Sequence, residues 1–297
     1  DQTIMGWKEE CPAADAVCRA TSSHALENLG EGAPLPLEKC TVLALPVTDR
    51  LDSLCVRVRN GSRSPAVLRY KVLQGDLPEC YLPERALFEK QANVAGRYDG
   101  WIALSVGVPR GRDGKVYIEF LPDADLSLYT VEESLTGVPT FFCTEKEPEL
   151  RDRRTFVFTR SYSNIVFKDV LPAQAIFGAG NVLSGYNRPY GLPNLWMSDG
   201  KGAQELCVEF GERLIEEVHL VFNTELEEDL IATQSRKVIR DYDLIIEGKN
   251  DSRTWNVRGN YDRVNRFRVE ESVHRITIRP LENYGAANFE IFGVKIY

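Results

Sequence analysis

Apolar and polar residues alternate with period two along most of the chain, in runs of roughly four to eight residues bounded by Gly, Pro, Asn and Asp. Successive strand residues point to opposite faces, so this pattern predicts half-buried strands. In the first half it predicts strands at residues 41–47, 54–59, 67–73, 101–108, 115–121 and 126–131. Turn signals separate them at Asn60-Gly61, Gly75-Asp76, Arg112-Asp113-Gly114 and Pro122-Asp123. A closing strand at 155–159 follows the charged stretch 145–154. Helical periodicity is nearly absent, and only residues 84–94 fit a helix as well as a strand. After Pro172 a second series begins, at 205–210, 217–222, 241–247, 254–257, 266–269, 275–279 and 289–297.

Many short strands with regular turns specify an all-β chain of antiparallel sandwiches. At 297 residues the chain exceeds the roughly 250 at which single cores stop growing, which gives two tandem sandwiches. We expect an N-terminal sandwich over 1–165, a linker within 160–174 and a second sandwich over 175–297. If the second series runs antiparallel, alternate connections emerge at the same end. One end receives the short charged turns 211–213, 248–253 and 270–272. The other receives the long segments 186–202 and 223–238 and the loops 259–265 and 280–287. Tyr186, Asn187, Arg188, Tyr190, Asn194, Trp196, Asn223, Asn260, Tyr261, Arg263, Asn283 and Tyr284 all fall at that second end. Aromatic faces beside Asn and Arg suit a polar, ring-shaped ligand such as a sugar: they cover its apolar face and hydrogen-bond its hydroxyls.

Charge narrows the partners. The sum of 36 basic and 44 acidic residues is −8, so no global field draws the chain to nucleic acid or to an anionic bilayer. No apolar run approaches the roughly 18 residues of a spanning helix. The seven cysteines, Cys11, Cys18, Cys40, Cys55, Cys80, Cys143 and Cys207, are odd in number and form no CxxC pair. Read as free thiols, they favour a reducing, cytoplasmic compartment. The sequons Asn60-Gly-Ser62 and Asn250-Asp-Ser252 read as turns.

Certain stretches are more specific. They are Asn181-Val-Leu-Ser-Gly-Tyr-Asn-Arg-Pro189, Pro193-Asn-Leu-Trp-Met-Ser-Asp199, Val218-His-Leu-Val-Phe-Asn-Thr-Glu-Leu226, Val238-Ile-Arg-Asp-Tyr-Asp-Leu244, Val257-Arg-Gly-Asn-Tyr261 and Phe289-Glu-Ile-Phe-Gly-Val-Lys-Ile-Tyr297. Together they resemble the C-terminal region of a bacterial family of FAD-dependent oxidoreductases, in which a flavin domain precedes two β-sandwich modules. The match covers about residues 176–297 and, more weakly, 16–160, where Trp101 and residues 115–121 resemble the first module. Trp255 and the Phe-Glu-Ile-Phe-Gly ending also resemble the galactose-binding-like, discoidin or coagulation factor 5/8 C-type sandwich. The resemblance implies an accessory region whose FAD lies in a companion domain, in cis or trans. Gly178-Ala-Gly180 is the nearest approach to a dinucleotide fingerprint, but position 183 is Leu and no helix pattern follows. Such sandwiches often hold a structural calcium near the first long loop. Glu290 matches the final-strand Glu of that site, while Ser184 stands where a loop Asp is expected. The bland alternative pairs Glu290 with a nearby Arg. The resemblance also makes Trp196 a core plug as readily as a ligand residue.

Independent catalysis lacks its parts. His24, His219 and His274 have no partner spacing, and no G-x-S-x-G elbow exists. Glu227, Glu228 and Asp229 could supply the two carboxylates of a glycosidase, although adjacent loop acids are usually solvated charge. Arg188 could be spent on fixing its loop by pairing with Asp199 or Asp241. The reading is therefore a non-catalytic module that binds a carbohydrate or polyol, with Tyr186, Asn187, Arg188, Tyr190, Asn194, Trp196, Asn223, Arg240, Asn260, Tyr261 and Arg263 as ligand residues. Its rivals are a protein-interaction module docking on a flavin domain or self-associating, and an independent hydrolase.

Overall fold

A computed structural model describes residues 15–75, 85–133, 135–143, 158–160, 164–189, 192–225 and 235–297. In chain order its strands are β1 (Val17–Ala20), β2 (Ala33–Pro36), β3 (Thr41–Pro46), β4 (Arg50–Asn60), β5 (Ala66–Gln74), β6 (Arg85–Val94), β7 (Asp99–Pro109), β8 (Lys115–Phe120), β9 (Leu126–Val131), β10 (Thr140–Cys143), β11 (Phe158–Arg160), β12 (Asn164–Ile165) and β13 (Phe167–Leu171). A 3₁₀ turn, Ala179–Leu183, precedes β14 (Trp196–Met197), β15 (Leu206–Phe222), β16 (Ile239–Glu247), β17 (Ser252–Val257), β18 (Val264–Asn283) and β19 (Glu290–Ile296). The described chain is thus nearly all β, and the stretch that fitted either a helix or a strand is strand β6.

The chain divides into two compact units. One comprises Ala25–Ile176 with Tyr190–Pro193, the other Asp1–His24, Phe177–Pro189 and Asn194–Tyr297. This corrects two expected boundaries. The expected linker contains β12 and β13, which pair with β9 and β4 of the first unit. The N-terminal β1 belongs to the second unit, because Val17–Ala20 adds to the edge of β15. These strands escape a pattern search because two to five residues are too few to show alternation.

In the first unit, one sheet runs β11-β10-β3-β8-β5-β6 and the other β12-β9-β4-β13, with β2 on β9 and β7 on β4. Every pairing is antiparallel. Leu54, Val56 and Val58 alternate inward on β4, as Leu68, Tyr70 and Val72 do on β5. The two sheets meet where the Tyr70 hydroxyl donates to the Ser105 carbonyl of β7 at 3.0 Å. The Asn60 side chain is buried and donates to the carbonyls of Ser64, Val94 and Ala95, so this sequon asparagine is a turn fastener.

The second unit is one sheet in the order β14-β19-β15-β18-β16-β17. Residues 211–213 and 270–272 were expected to be turns, and this is corrected. Here β15 and β18 run on as strands and pair again at Arg213↔Val273, Leu214↔Ser272 and Ile215↔Glu271. Register shifts between Glu209 and Arg213 and between Ile215 and Glu217 bend the ladder. The sheet thereby folds over on itself. Phe267, from the first half of β18, meets Tyr242 of β16 at 6.5 Å and Trp255 of β17 at 5.6 Å. Within the core between the layers, Trp196, Leu220, Phe222, Ile239, Tyr242, Leu244, Ile276, Ile278, Phe289 and Ile291 are almost entirely buried. At roughly 1.5–3 kcal/mol per buried large apolar side chain, this core dominates the unit's stability.

Candidate ligand-binding site

The fold-over gathers the long loops of the second unit at one end. The loop after β17 begins with Gly259 at φ +70, a left-handed turn that suits glycine. Its N–H donates to Asp241 Oδ1 at 2.8 Å, and the next N–H, of Asn260, donates to the Arg240 carbonyl at 2.8 Å. Tyr284, just after β18, donates its hydroxyl to the Asn260 carbonyl at 3.0 Å. Arg263 donates from Nη2 to the Asn187 carbonyl, which fastens the 186–189 segment to the same end.

Three asparagines close the turns that build these loops. Asn223 Oδ1 accepts the N–H of Glu225, Asn260 Oδ1 that of Asp262, and Asn283 Oδ1 that of Gly285, at 2.8, 3.0 and 3.0 Å. An Asx turn of this kind mimics a backbone turn. Asn260 also donates to the carbonyls of Ile239 and Asp262, and its Oδ1 accepts from Asn265. With this side chain only 6% exposed, its polar atoms are engaged within the protein. Asn194 adopts φ +52 and donates to the Pro189 carbonyl at 2.7 Å, so it too holds a loop. These side chains were expected to face a ligand; Asn194 bonds backbone carbonyls, while Asn223 and Asn260 bond both backbone and neighbouring side chains.

Trp196 is fully buried and donates from Nε1 to the Ser22 carbonyl at 2.9 Å, which gives it the core-plug role. Arg188 presents its carbonyl to Asn194 Nδ2 at 3.4 Å. Of the acids foreseen as its partners, Asp199 lies 3.8 Å from His24 and Asp241 is held by Arg240. Asn187 Oδ1 is buried and accepts no hydrogen bond. Tyr190, Glu227, Glu228 and Asp229 lie outside the described residues.

What remains facing outward is a small aromatic ridge. Tyr261 is 70% exposed and stacks on Tyr284, with centroids 5.7 Å apart and planes at 25°. The Arg240 guanidinium lies 6.0 Å from the Tyr284 centroid. Its Nε and Nη2 both donate to Asp241 Oδ2, at 3.1 and 2.9 Å. The Arg240 hydrogen bonds hold the Asp241 carboxyl below the usual carboxylate range, and the same bonds raise the guanidinium. Tyr186, 48% exposed, adds a third outward ring from the 186–189 segment. Tyr284 was placed at this end by strand parity but not chosen as a ligand residue. The signal that could have found it is its position just past β18, opposite the loop that carries Tyr261.

A different cluster lies inward at this end. Lys237 Nζ, almost fully buried, is 3.6 Å from Glu290 Oε1 and 3.9 Å from Glu225 Oε1. Asn223 Nδ2 donates to Glu290 Oε2 at 2.5 Å. The partner of Glu290 is thus a lysine rather than the arginine foreseen, and neither Lys237 nor Glu225 was singled out. Lys237 stands two residues before the inward Ile239, so a period-two reading extended past the strand would have pointed it inward. Among the described residues, no three His, Cys, Asp or Glu side chains come together as a metal site. The described histidines also lie apart from one another's chemistry: His219 bonds Glu217 at 2.9 Å and packs on Tyr297, while His24 packs on Phe177.

No family profile matches the chain. No curated protein matches it. Among solved structures, it is similar to a GH31 CBM32-2 module bound to GalNAc, with 11% identity, 42% of this chain and 89% of that one covered, and a TM-score of 0.36. It is also similar to the family 32 carbohydrate-binding module of Streptococcus pneumoniae EndoD, with 16% identity, 41% and 85% covered, and a TM-score of 0.35. A third such structure is the Streptococcus pneumoniae fucose binding module SpX-3, with 11% identity, 41% and 85% covered, and a TM-score of 0.34.

Proposed function

We propose that the loop end of the second sandwich binds a carbohydrate or similar polyol without chemical conversion. The observation that carries this is the stacked Tyr261–Tyr284 pair beside Arg240, because it combines an exposed aromatic face with a cation fixed in place. An exposed aromatic face covers the C–H face of a sugar ring, and a guanidinium donates in a planar fork to adjacent hydroxyls. Aspartate holds Arg240 before any ligand arrives, which lowers the ordering cost of binding. The Asx-turn asparagines support the platform from behind. The ligand set is accordingly Tyr261, Tyr284, Arg240 and Tyr186, with Arg263 and Asn260 as positioning residues.

The test is a glycan array followed by isothermal titration with the best sugar. Tyr261→Ala should weaken binding at least about tenfold, as the loss of one aromatic contact of roughly 1.5 kcal/mol implies, while the unfolding midpoint stays close to that of the parent. An array without hits, or equal affinity in Tyr261→Ala, overturns the reading. The resemblance to flavin oxidoreductases adds a finer element to the proposal, in which the bound glycan is held near a companion flavin domain. Mixing the chain with such a domain and following flavin absorbance by size-exclusion chromatography tests that element. Co-elution blocked by Tyr261→Ala, together with an empty array, would favour a protein-docking module instead.

A further inference from the structure

A structural calcium beside Glu290 is what the galactose-binding-like resemblance implies, and the residues present do not fit it. Calcium takes six to eight oxygen ligands at about 2.3–2.6 Å. Here an ammonium already stands between the two available carboxylates. Lys237 Nζ is 3.6 Å from Glu290 Oε1 and 3.9 Å from Glu225 Oε1, and its side chain is 2% exposed. The second oxygen of each carboxylate is also engaged. Glu290 Oε2 accepts from Asn223 Nδ2 at 2.5 Å, and Glu225 Oε2 accepts from Ser235 Oγ at 2.6 Å and from the Arg236 N–H at 3.1 Å. A divalent ion bound by either carboxylate would lie within a few ångströms of a buried positive charge, in a low-dielectric setting that magnifies the repulsion.

We propose that Lys237 is a tethered replacement for the structural cation, so that the loop end of the second sandwich holds its shape without calcium. The ammonium joins three pieces of chain: Glu225 at the start of the segment that follows β15, Lys237 itself just before β16, and Glu290 at the start of β19. Glu225 takes φ +53 there, a left-handed conformation unfavourable for a residue with a Cβ. The Asn223 Oδ1 bond to its N–H and the Ser235 and Arg236 bonds to its carboxylate hold it in place. Lysine therefore takes over part of what a divalent ion would do: its single positive charge offsets one unit of the charge on the two buried carboxylates, and it cross-links segments distant in sequence. Because the cation is covalent, chelation cannot remove it.

Calcium chloride is the probe, on the full chain. Scanning calorimetry should give the same midpoint in EDTA and in millimolar calcium, and isothermal titration should show no calcium heat. Lys237→Ala should lower the midpoint in EDTA by more than about 10 °C, the scale expected when one partner of a buried ion pair is removed. Millimolar calcium should restore part of that loss through the vacated space and the two freed carboxylates, and adding Glu290→Gln should abolish the restoration. A parent chain that is stabilised by calcium and destabilised by EDTA overturns the proposal. So does a Lys237→Ala variant with the parent midpoint, or one whose loss ignores calcium. If Lys237→Ala does not fold, the parent titration still decides, and Lys237→Arg, which keeps the charge, should fold and stay indifferent to calcium. The sugar-binding reading is independent of this result, because the Tyr261 platform is assayed separately.

Discussion

Two clusters lie at the same end of the second sandwich, and they use similar residue types for opposite purposes. The inward one, Asn223, Glu225, Lys237 and Glu290, is buried, and its members bond one another. The outward one, Arg240, Tyr261 and Tyr284, also contains an ion pair, but Tyr261 stands 70% exposed. Charged groups buried without partners cost several kcal/mol each, so the inward cluster must be saturated for the unit to fold. Exposed groups carry no such penalty, and the outward cluster is free to keep an unsatisfied face. Residue type therefore does not separate the two clusters; exposure does.

That distinction is broken most forcefully where packing is complete. Trp196→Ala removes a fully buried indole and leaves the Ser22 carbonyl without its donor. We expect a loss of about 3–5 kcal/mol, measured by urea unfolding. A loss below about 1 kcal/mol would mean that Trp196 is not the plug of this core and would return it to the ligand candidates. Asn260→Ala comes next, since it deletes four hydrogen bonds at once and strands the buried Ile239 carbonyl. The expected cost is about 2–3 kcal/mol. Sugar affinity should fall with it only because the Tyr261 loop loses its shape, so low temperature or stabilising osmolyte should recover binding in this variant and not in Tyr261→Ala.

Tyr284→Phe sharpens the comparison within the outward cluster. The hydroxyl bond to the Asn260 carbonyl is lost while the ring under Tyr261 remains. Stability should drop by about 0.5–1.5 kcal/mol. Sugar binding measured by titration should change less than about threefold, roughly half of the 1.4 kcal/mol that a tenfold change represents. A large binding loss would show that the Tyr284 hydroxyl, rather than its face, meets the ligand.

The strands that form the walls were legible because alternation is a direct imprint of a half-buried sheet, as in residues 241–247, where Tyr242, Leu244 and Ile246 all face inward. The end at which the loops gather was legible too, since a fold-over at 211–216 and 269–272 reverses direction as a turn would. Why the ladder resumes at Arg213 after its register shift was not legible: that pairing depends on partners Val273, Ser272 and Glu271, about sixty residues away. Nor could the direction of each loop asparagine be read. Asn223, Asn260 and Asn283 sit beside aromatics as ligand residues do, but each spends its oxygen on the N–H two positions on. Lys237 was hidden for a related reason, because lysine is seldom buried and a charged residue before a strand reads as surface.

The smallest expected effect concerns pH, and it separates the two clusters electrostatically. The Arg240 hydrogen bonds depress the Asp241 carboxyl relative to its unfolded value. For a depressed carboxyl, the stabilisation is fully present above the ordinary aspartate value of about 3.9 and disappears as pH falls through the lower folded value. The Arg240 guanidinium is 41% exposed, so solvent screens the pair and its contribution to stability is small. Its effect on the position of Arg240 should be visible in binding. Sugar affinity should be flat from about pH 5 to 8 and decline only below about pH 4, whereas Asp241→Asn should bind more weakly at neutral pH and lose the acid-side decline. A midpoint near the histidine range, around 6.5, would place a different titrating group on the platform and remove Arg240–Asp241 from its electrostatics.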